Sequence, residues 1–308
     1  MMKKEFTAII PTWKPGDKFS ELVRRLQKQK VPPKRILIIN TDERYFSDDL
    51  IGDWTDVSVL HIEKKEFDHA LTRDLGASLS DTPFLLFMTM DALPADRNLT
   101  KALLDAFDDP DVAVSYARQM PVKDCSRLER MTREFNYPPS SRVKSWADTE
   151  EIGVKAFFCS NVCAMYRKDI YTELGGFEGP AIFNEDMVYA GRALKNGKSI
   201  AYCADAKVWH SHNYSTLEQF RRNFDLGVSQ SLYPELFDAV PSEKTGVAMI
   251  RIVSATLLKE KAPFSVIRLF WQSGWKYAGY LLGKSWRKLP LFLRKRLSMN
   301  PGYWEMEV

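Results

Sequence analysis

The sequence predicts an α/β fold in which a mostly parallel sheet is flanked by helices and followed by a C-terminal helical extension. In the first part of the chain, short runs that are apolar throughout alternate with amphipathic segments, which is typical of buried parallel strands joined by helices. After about residue 216 the pattern becomes helical and rich in basic and aromatic residues. We therefore expect two domains, at residues 1–215 and 216–308.

The first half of the chain contains four predicted strands, at residues 5–10, 35–39, 57–62 and 84–88. A helix is expected from Asp17, because apolar residues then recur with the spacing of one helix face, at Phe19, Leu22, Val23 and Leu26. Asp68 can cap a second helix that runs to about Leu79.

The second half of the chain is less regular. Residues 120–155 are polar and contain Pro138 and Pro139, so we expect a mobile excursion there. A strand-like segment at residues 156–166 follows, then a helix that ends at Gly175-Gly176 and another that begins near Asn184. Two short strands are expected near residues 200–203 and 207–210.

Polar side chains stand at the ends of the predicted strands, where an open parallel sheet binds its ligands. They include Thr12, Asn40, Asp68, His69 and Asp91. Asp91 lies just beyond a buried strand, and a carboxylate in that position suits a divalent cation that is shared with substrate phosphates. A lone aspartate there is also a common cap or turn residue.

Three other charged residues allow both a chemical and a structural interpretation. Glu185 and Asp186 open a helix, where acids also complement the helix dipole. Arg73 lies one helical turn beyond the Asp68 cap, so its guanidinium can reach a phosphate or a carboxylate, or form a surface ion pair.

Two histidines sit close together in a polar loop. His210 and His212 share one face of an extended segment, so either could be a metal ligand. A zinc site with Cys203 is disfavoured, because no second cysteine lies at ligand spacing.

The charge of the chain is unevenly distributed. Residues 1–243 carry 32 Lys+Arg against 37 Asp+Glu, a net charge of −5, whereas residues 244–308 carry 12 against 3, a net charge of +9. Aromatic and basic residues interleave between residues 264 and 304, which is typical of a segment at a membrane interface. A helical lid or a homo-oligomer contact is an equal alternative. Nucleic acid is a less favoured partner, because the acidic body would repel it.

The remaining composition indicates a cytoplasmic protein. The four cysteines form no CxxC pair, so we expect reduced core residues. The N-terminal apolar run is too short for a signal peptide, and charged residues interrupt the best candidate for a spanning helix.

Four motifs together resemble the bacterial family 2 glycosyltransferases, and specifically their rhamnosyltransferase branch. They are IIPTW at residues 9–13, EFDHALTRDLG at 66–76, FMTMDALP at 87–94 and NED at 184–186. The resemblance implies a Rossmann-like GT-A fold. It also implies an inverting enzyme that moves L-rhamnose from dTDP-rhamnose to a lipid-diphosphate-linked saccharide in cell-surface polysaccharide synthesis. Such an enzyme uses Mg²⁺ or Mn²⁺ and works at the inner face of the cell membrane, which the C-terminal helices would contact.

The resemblance also implies roles for individual residues. Asp91 and His210 correspond to metal ligands, Asp186 to the general base with Glu185 beside it in the catalytic pair, and Asn184 to an acceptor-binding residue. The implied donor-binding residues are Pro11, Thr12, Asn40, Asp68, His69, Arg73, Thr89, Met90 and Arg222.

Two residues depart from the family pattern. Thr89 stands where the first acid of the metal-binding Asp-x-Asp motif is expected, and Asn40 stands where many members have an aspartate. Two alternatives therefore stay open: a family 2 transferase that uses another donor, such as a UDP-hexose, and a catalytically silent nucleotide-sugar-binding scaffold.

Overall fold

A computed structural model of the chain describes residues 4–52, 54–240 and 243–306. Within these residues nine strands form one sheet: β1 (Phe6–Trp13), β2 (Arg35–Thr41), β3 (Val57–Ile62), β4 (Phe84–Met88), β5 (Leu93–Pro94), β6 (Val112–Met120), β7 (Arg142–Lys144), β8 (Cys163–Arg167) and β9 (Ser199–Trp209). The helices are α1 (Asp17–Gln27), α2 (His69–Ser78), α3 (Leu99–Asp105), α4 (Arg127–Asn136), α5 (Thr149–Ile152), α6 (Lys168–Glu173), α7 (Glu185–Lys195), α8 (Thr216–Leu232), α9 (Pro234–Phe237), α10 (Glu243–Lys259), α11 (Pro263–Lys284), α12 (Leu291–Leu297) and α13 (Tyr303–Met306).

The sheet confirms the predicted α/β class. Its strands lie in the order β3-β2-β1-β4-β8-β6-β9-β5, with β7 paired to β9. The strands β3, β2, β1 and β4 are mutually parallel, as predicted. The strand β8 runs antiparallel to both β4 and β6, so the second half of the sheet is mixed.

Both faces of the sheet are covered by apolar side chains, which explains why the early strands are apolar throughout. Along β1, Ile9 packs into the core on one face, whereas Ala8 and Ile10 pack into the core on the other. The four cysteines are unpaired, as expected, and three of them are buried.

Two strand predictions differ from the structure. Residues 153–156 form a 3₁₀ turn, and the strand predicted at 156–166 is confined to β8. The two short strands predicted near 200–203 and 207–210 are one long strand, β9. Its pairing with β6 skips from Cys203 to Lys207, so the polar interruption is a bulge within β9.

The prediction of a mobile excursion at residues 120–155 is wrong, because this segment contains α4, β7 and α5. Ser126 caps α4 by accepting a hydrogen bond from the amide of Glu129. Charged side chains on these elements pair with each other, as Arg142 does with Asp148 at 2.5 Å. The segment is polar because charged side chains occupy many half-buried and exposed positions of these elements, and Pro138 and Pro139 hid their regularity.

The C-terminal region is helical, as predicted, and α8 begins at Thr216. The helices α8 and α11 cross at very short range through glycines. A Cβ built on Gly279 would lie 2.3 Å from the carbonyl oxygen of Phe220, and one on Gly283 would lie 2.1 Å from that of Phe224. None of the described helices combines the length and the apolarity that crossing a bilayer requires.

Candidate active site

The ends of the parallel strands bring Thr12 and Asn40 together. β1 and β2 pair in register so that these residues are neighbours, and the Thr12 hydroxyl donates to Asn40 Oδ1 at 3.1 Å. The Asn40 amide also contacts the carbonyl of Asp42 and Nδ1 of His61, each at 3.1 Å. The predicted clustering of these two strand-end groups is confirmed. Pro11, just before Thr12, is only half-buried.

Two exposed aromatic rings beside this point were not singled out from the sequence. Trp13 ends β1 and Tyr45 follows β2. The ammonium of Lys14 lies 4.9 Å from the Trp13 ring centroid and 4.4 Å from that of Tyr45. An exposed aromatic–cation cluster at a sheet edge offers a stacking surface and positive charge. The signal in the sequence was an aromatic residue directly after Thr12.

A second cluster unites Asp91 with both loop histidines. Asp91 Oδ2 lies 3.2 Å from Nε2 of His212 and 3.5 Å from Nε2 of His210, and the two Nε2 atoms are 3.0 Å apart. The topology creates this contact. The short strand β5 pairs Leu93 with Trp209 at the end of β9, which places the residue after β9 beside the turn after β4.

Buried neighbouring side chains determine the tautomer and the protonation of His210. His210 Nδ1 lies 3.0 Å from the Gln119 side-chain oxygen, which can only accept, so Nδ1 carries the proton and Nε2 presents its lone pair. Arg133 donates to the same Gln119 oxygen. Burial lowers the pKa of His210 to about 3, which keeps the ring neutral.

Asp91 is held ionised in the same cluster. Burial alone would raise the pKa of its carboxyl, but contacts with His212 and His210 hold that pKa below its usual range. One carboxylate and two imidazoles, with ligand atoms all within 4.8 Å of one another, can hold a divalent metal ion. Thr89 and Met90 lie half-buried in the turn just before Asp91. His212 offers a third candidate ligand atom in this cluster.

The acid pair lies at the start of α7, where Asn184 adopts a left-handed backbone conformation with φ of 73°. The Asp186 carboxylate is half-buried and accepts from the backbone amides of Asn161 at 3.0 Å and Met187 at 2.8 Å. Burial, together with the negative charge of Glu185, raises the pKa of Asp186. A carboxylate with a raised pKa is a stronger base than an ordinary aspartate.

Glu185 points away from this position and into a buried ion pair. Its Oε1 accepts from Nη1 of Arg73 at 3.1 Å and from the side-chain amide of Asn161 at 3.0 Å. Asn161 is itself fixed by a hydrogen bond from the Tyr166 hydroxyl at 2.8 Å. One residue, Asn161, therefore contacts both acids, and nothing in its sequence context pointed to this.

Two predicted donor-binding residues, Asp68 and Arg73, use their side chains for contacts within the protein. Both oxygens of Asp68 accept from backbone amides, two in the first turn of α2 and one from Ala181 at 2.9 Å. The Arg73 Nη1 atom is shared between Glu185 and the His69 carbonyl at 2.7 Å. The helix cap predicted at Asp68 is confirmed, but these contacts do not support direct donor binding by Asp68 or Arg73, since neither side chain is free to reach a ligand.

His69 and Arg222 are the remaining predicted donor-binding residues. Burial lowers the pKa of His69, and its ring packs edge-on against Phe67 at 5.1 Å. The exposed Arg222 guanidinium stacks on Phe183 at 4.5 Å and lies 5.7 Å from Tyr214. Tyr214 in turn packs against His212 at 5.1 Å, so Arg222 stands beside the Asp91–His210–His212 cluster and is free to bind an anion.

Comparisons with known proteins agree with this geometry. Residues 7–175 match the family model described as glycosyl transferase family 2. The chain is 36% identical over 304 residues to the O-antigen chain rhamnosyltransferase RfbN of Salmonella typhimurium, covering 97% of this chain and 96% of that protein. It is 35% identical to the O-antigen chain rhamnosyltransferase WbaN of Salmonella anatum, with coverage of 97% and 95%. The fold is similar to that of the mannosyltransferase PcManGT from Pyrobaculum calidifontis, solved with GDP-Man and Mn²⁺. That match has a TM-score of 0.62 at 15% identity and covers 92% of this chain and 88% of that one.

Proposed function

The chain belongs to glycosyl transferase family 2, and from that premise we propose that it transfers L-rhamnose from dTDP-rhamnose to a lipid-linked saccharide in cell-surface polysaccharide synthesis. The observation that carries the proposal is one edge of the sheet, which holds a cation-binding cluster and a carboxylate base. The cluster is Asp91, His210 and His212, and the base is Asp186. Relatives named as O-antigen chain rhamnosyltransferases, similar over nearly the whole chain, support rhamnose as the sugar.

The two chemical groups are joined through adjacent residues of the segment before β8. The Thr89 amide donates to the Val162 carbonyl at 3.2 Å, while the neighbouring Asn161 amide donates to Asp186. The turn that carries Asp91 is thereby tied to the residue that holds the base. This link supports a single site in which a donor and an acceptor meet.

Each step of the transfer has a residue suited to it. Asp186 takes the proton of the acceptor hydroxyl, a task for which a positioned base contributes about 10²–10⁴-fold. Arg222 faces the cluster and binds the departing diphosphate. Inversion follows from a single displacement, in which the acceptor oxygen attacks the anomeric carbon as the nucleotide leaves.

The ligand set favours Mn²⁺ over Mg²⁺ as the bound cation. Mg²⁺ prefers oxygen ligands and keeps much of its water, whereas imidazole nitrogens suit transition metals. When bound, such a cation neutralises the negative charge that develops on the leaving diphosphate. His210 and His212 therefore supply what a second carboxylate supplies in an Asp-x-Asp motif.

We assign the C-terminal helices to the cytoplasmic face of the membrane. On α11, Phe264 is 85% exposed and Trp271 is 62% exposed. The net charge of +9 over residues 244–308 matches a surface of anionic lipids, which attracts basic residues by about 1 kcal/mol each. Co-sedimentation with anionic vesicles tests this: binding should be lost in Phe264→Ser/Trp271→Ser, whereas dimerisation without vesicle binding would contradict it.

A donor screen tests the proposed reaction. The purified chain is incubated with polyprenyl-diphosphate-linked saccharides and either dTDP-rhamnose or UDP-glucose, with Mn²⁺, Mg²⁺ or EDTA. We expect the mass of one deoxyhexose to be added only from dTDP-rhamnose, fastest with Mn²⁺. Transfer only from the UDP-sugar would support the alternative donor, and no transfer from any donor would contradict the proposal.

A further inference from the structure

A cavity between α4, α8 and α11 adjoins the Asp91–His210–His212 cluster, and the proposed reaction leaves it without a role. It has a volume of about 60 Å³, and its lining includes His212 and Gln219 on one side and Arg268, Gln272 and Lys276 of α11 on the other. A space of this size holds a few water molecules. It therefore has room for a phosphate of a diphosphate, and the rest of such a ligand would lie outside the enclosed space.

In the part of the chain that the structure describes, the two cations that line this cavity, Arg268 and Lys276, form no direct ion pair with an acid. Within residues 4–52, 54–240 and 243–306, neither Arg268 nor Lys276 makes a side-chain hydrogen bond or an ion pair. Glu129 also lines the cavity, and its negative charge acts to raise the pKa of Lys276, but its carboxylate is already paired with Arg133 at 2.5 Å. Burial lowers the pKa of Lys276, so an anion placed beside it would stabilise its charged form. The lining therefore holds two cations and one acid, and that acid is already paired with another arginine.

The spacing along α11 places a second, apolar stripe next to this one. Arg268, Gln272 and Lys276 follow one another at intervals of four residues and share one helix face. Trp271 and Trp275, one residue earlier in each case, form the adjacent stripe and are exposed. A molecule with a charged end and a hydrocarbon chain can therefore contact both stripes at once.

We propose that this cavity binds the diphosphate of a lipid-linked acceptor, with Arg268 and Lys276 as its counter-charges and Trp271 and Trp275 in contact with the polyprenyl chain. The inference rests on the proposed function, because it assigns a position to that acceptor. Since His212 lines the cavity, an acceptor held there has its saccharide next to the cation site. The donor diphosphate is a separate ligand, which would be held by Arg222 and by a cation in the Asp91–His210–His212 cluster.

Farnesyl diphosphate is the probe for this site. Its binding is measured by isothermal titration in EDTA, which removes the cation that donor binding would use. We expect the parent to bind farnesyl diphosphate and not farnesol. A hydrogen bond to a charged group contributes about 1.5–3 kcal/mol, so Lys276→Gln and Arg268→Gln should each weaken binding by about tenfold or more.

Two controls distinguish this site from a general charge effect and from the donor site. Arg251→Gln removes an exposed cation from α10 and should leave farnesyl diphosphate binding unchanged. Binding of dTDP with Mn²⁺ should be unchanged in Lys276→Gln, and thermal unfolding of each variant should match that of the parent.

Several results would overturn the assignment. Unchanged farnesyl diphosphate affinity in both variants would remove Arg268 and Lys276 from any such site. Equal weakening of dTDP–Mn²⁺ binding would give the cavity to the donor, and equal weakening by Arg251→Gln would reduce the effect to net charge. Failure of the parent to transfer rhamnose would contradict the proposed function instead, since the binding titration contains no donor.

Discussion

Replacing Glu185 by glutamine should destabilise the fold by about 3–5 kcal/mol, because it leaves the Arg73 guanidinium buried without a counter-charge. The side chains of Arg73 and Glu185 are only 5% and 8% exposed, and their charged atoms lie 3.1 Å apart. An exposed pair with the same separation would contribute only about 0–1 kcal/mol. The larger value therefore applies to the Arg73–Glu185 pair, because both side chains are buried.

Urea unfolding of single and double variants measures this effect. Arg73→Met and Glu185→Met should each be strongly destabilising, while the double variant should lose much less than their sum, because it leaves no unpaired charge. Lys101→Met, which breaks an exposed pair with Asp105, is the matched control and should cost little. A loss below about 1 kcal/mol for Glu185→Gln, or simple additivity in the double variant, would refute the reasoning.

The same substitution should change the pH dependence of transfer. The charge of Glu185 helps to raise the pKa of Asp186, and Asp186 acts as a base only when it is ionised. Activity should fall as the pH drops through the raised pKa of Asp186. Without the charge of Glu185 that pKa falls, so the acidic limb of the rate profile should move to lower pH in Glu185→Gln.

Three other predictions follow from separate parts of the fold. Gly283→Ala should destabilise the chain by about 1–3 kcal/mol in urea unfolding through overpacking, since its Cβ would lie 2.1 Å from a backbone oxygen of α8. Gly274→Ala, on an open part of the same helix, should be neutral or stabilising; equal losses would contradict the close crossing. His212→Ala should weaken Mn²⁺ binding in a calorimetric titration by about tenfold or more, because losing even an outer-shell contact of a metal site costs about 10–100-fold in affinity. Unchanged affinity would remove His212 from the ligand set. Burial lowers the pKa of Lys144 to about 7, while the unfolded chain keeps this proton to about pH 10.4. Between these values the unfolded state binds more protons, so the unfolding free energy should rise with pH more steeply in the parent than in Lys144→Met; equal slopes would contradict this.

The parallel half of the sheet could be predicted because each of its strands is a short run of mostly apolar residues. Such a run can be recognised from its own sequence, without knowing which strands lie beside it. The meeting of Thr12 with Asn40 followed from parallel pairing alone. The strand β8 could not be placed, because its antiparallel position between β4 and β6 depends on contacts far apart in the sequence. The helix α4 was missed because its polar composition, so close to Pro138 and Pro139, is also typical of a loop.

The residues of the candidate site also fall into those that local sequence predicts and those that depend on distant contacts. Asp91, His210 and Asp186 could be proposed from the sequence because each stands at the end of a regular element. The position of His212 beside Asp91 depends on the pairing of β5 with β9, which no local pattern shows. Arg73 matched the family motif, yet its contact with Glu185 spans 112 residues and became visible only in the fold.

The rate of rhamnosyl transfer by Asp186→Asn tests the central claim most directly. Asparagine keeps the size of the side chain but cannot take a proton, and loss of a general base costs about 10²–10⁴-fold. We therefore predict that transfer from dTDP-rhamnose in the presence of Mn²⁺ falls by this factor, while dTDP–Mn²⁺ binding stays at the level of the parent. Transfer within tenfold of the parent, with binding intact, would contradict the assignment of Asp186 as the base.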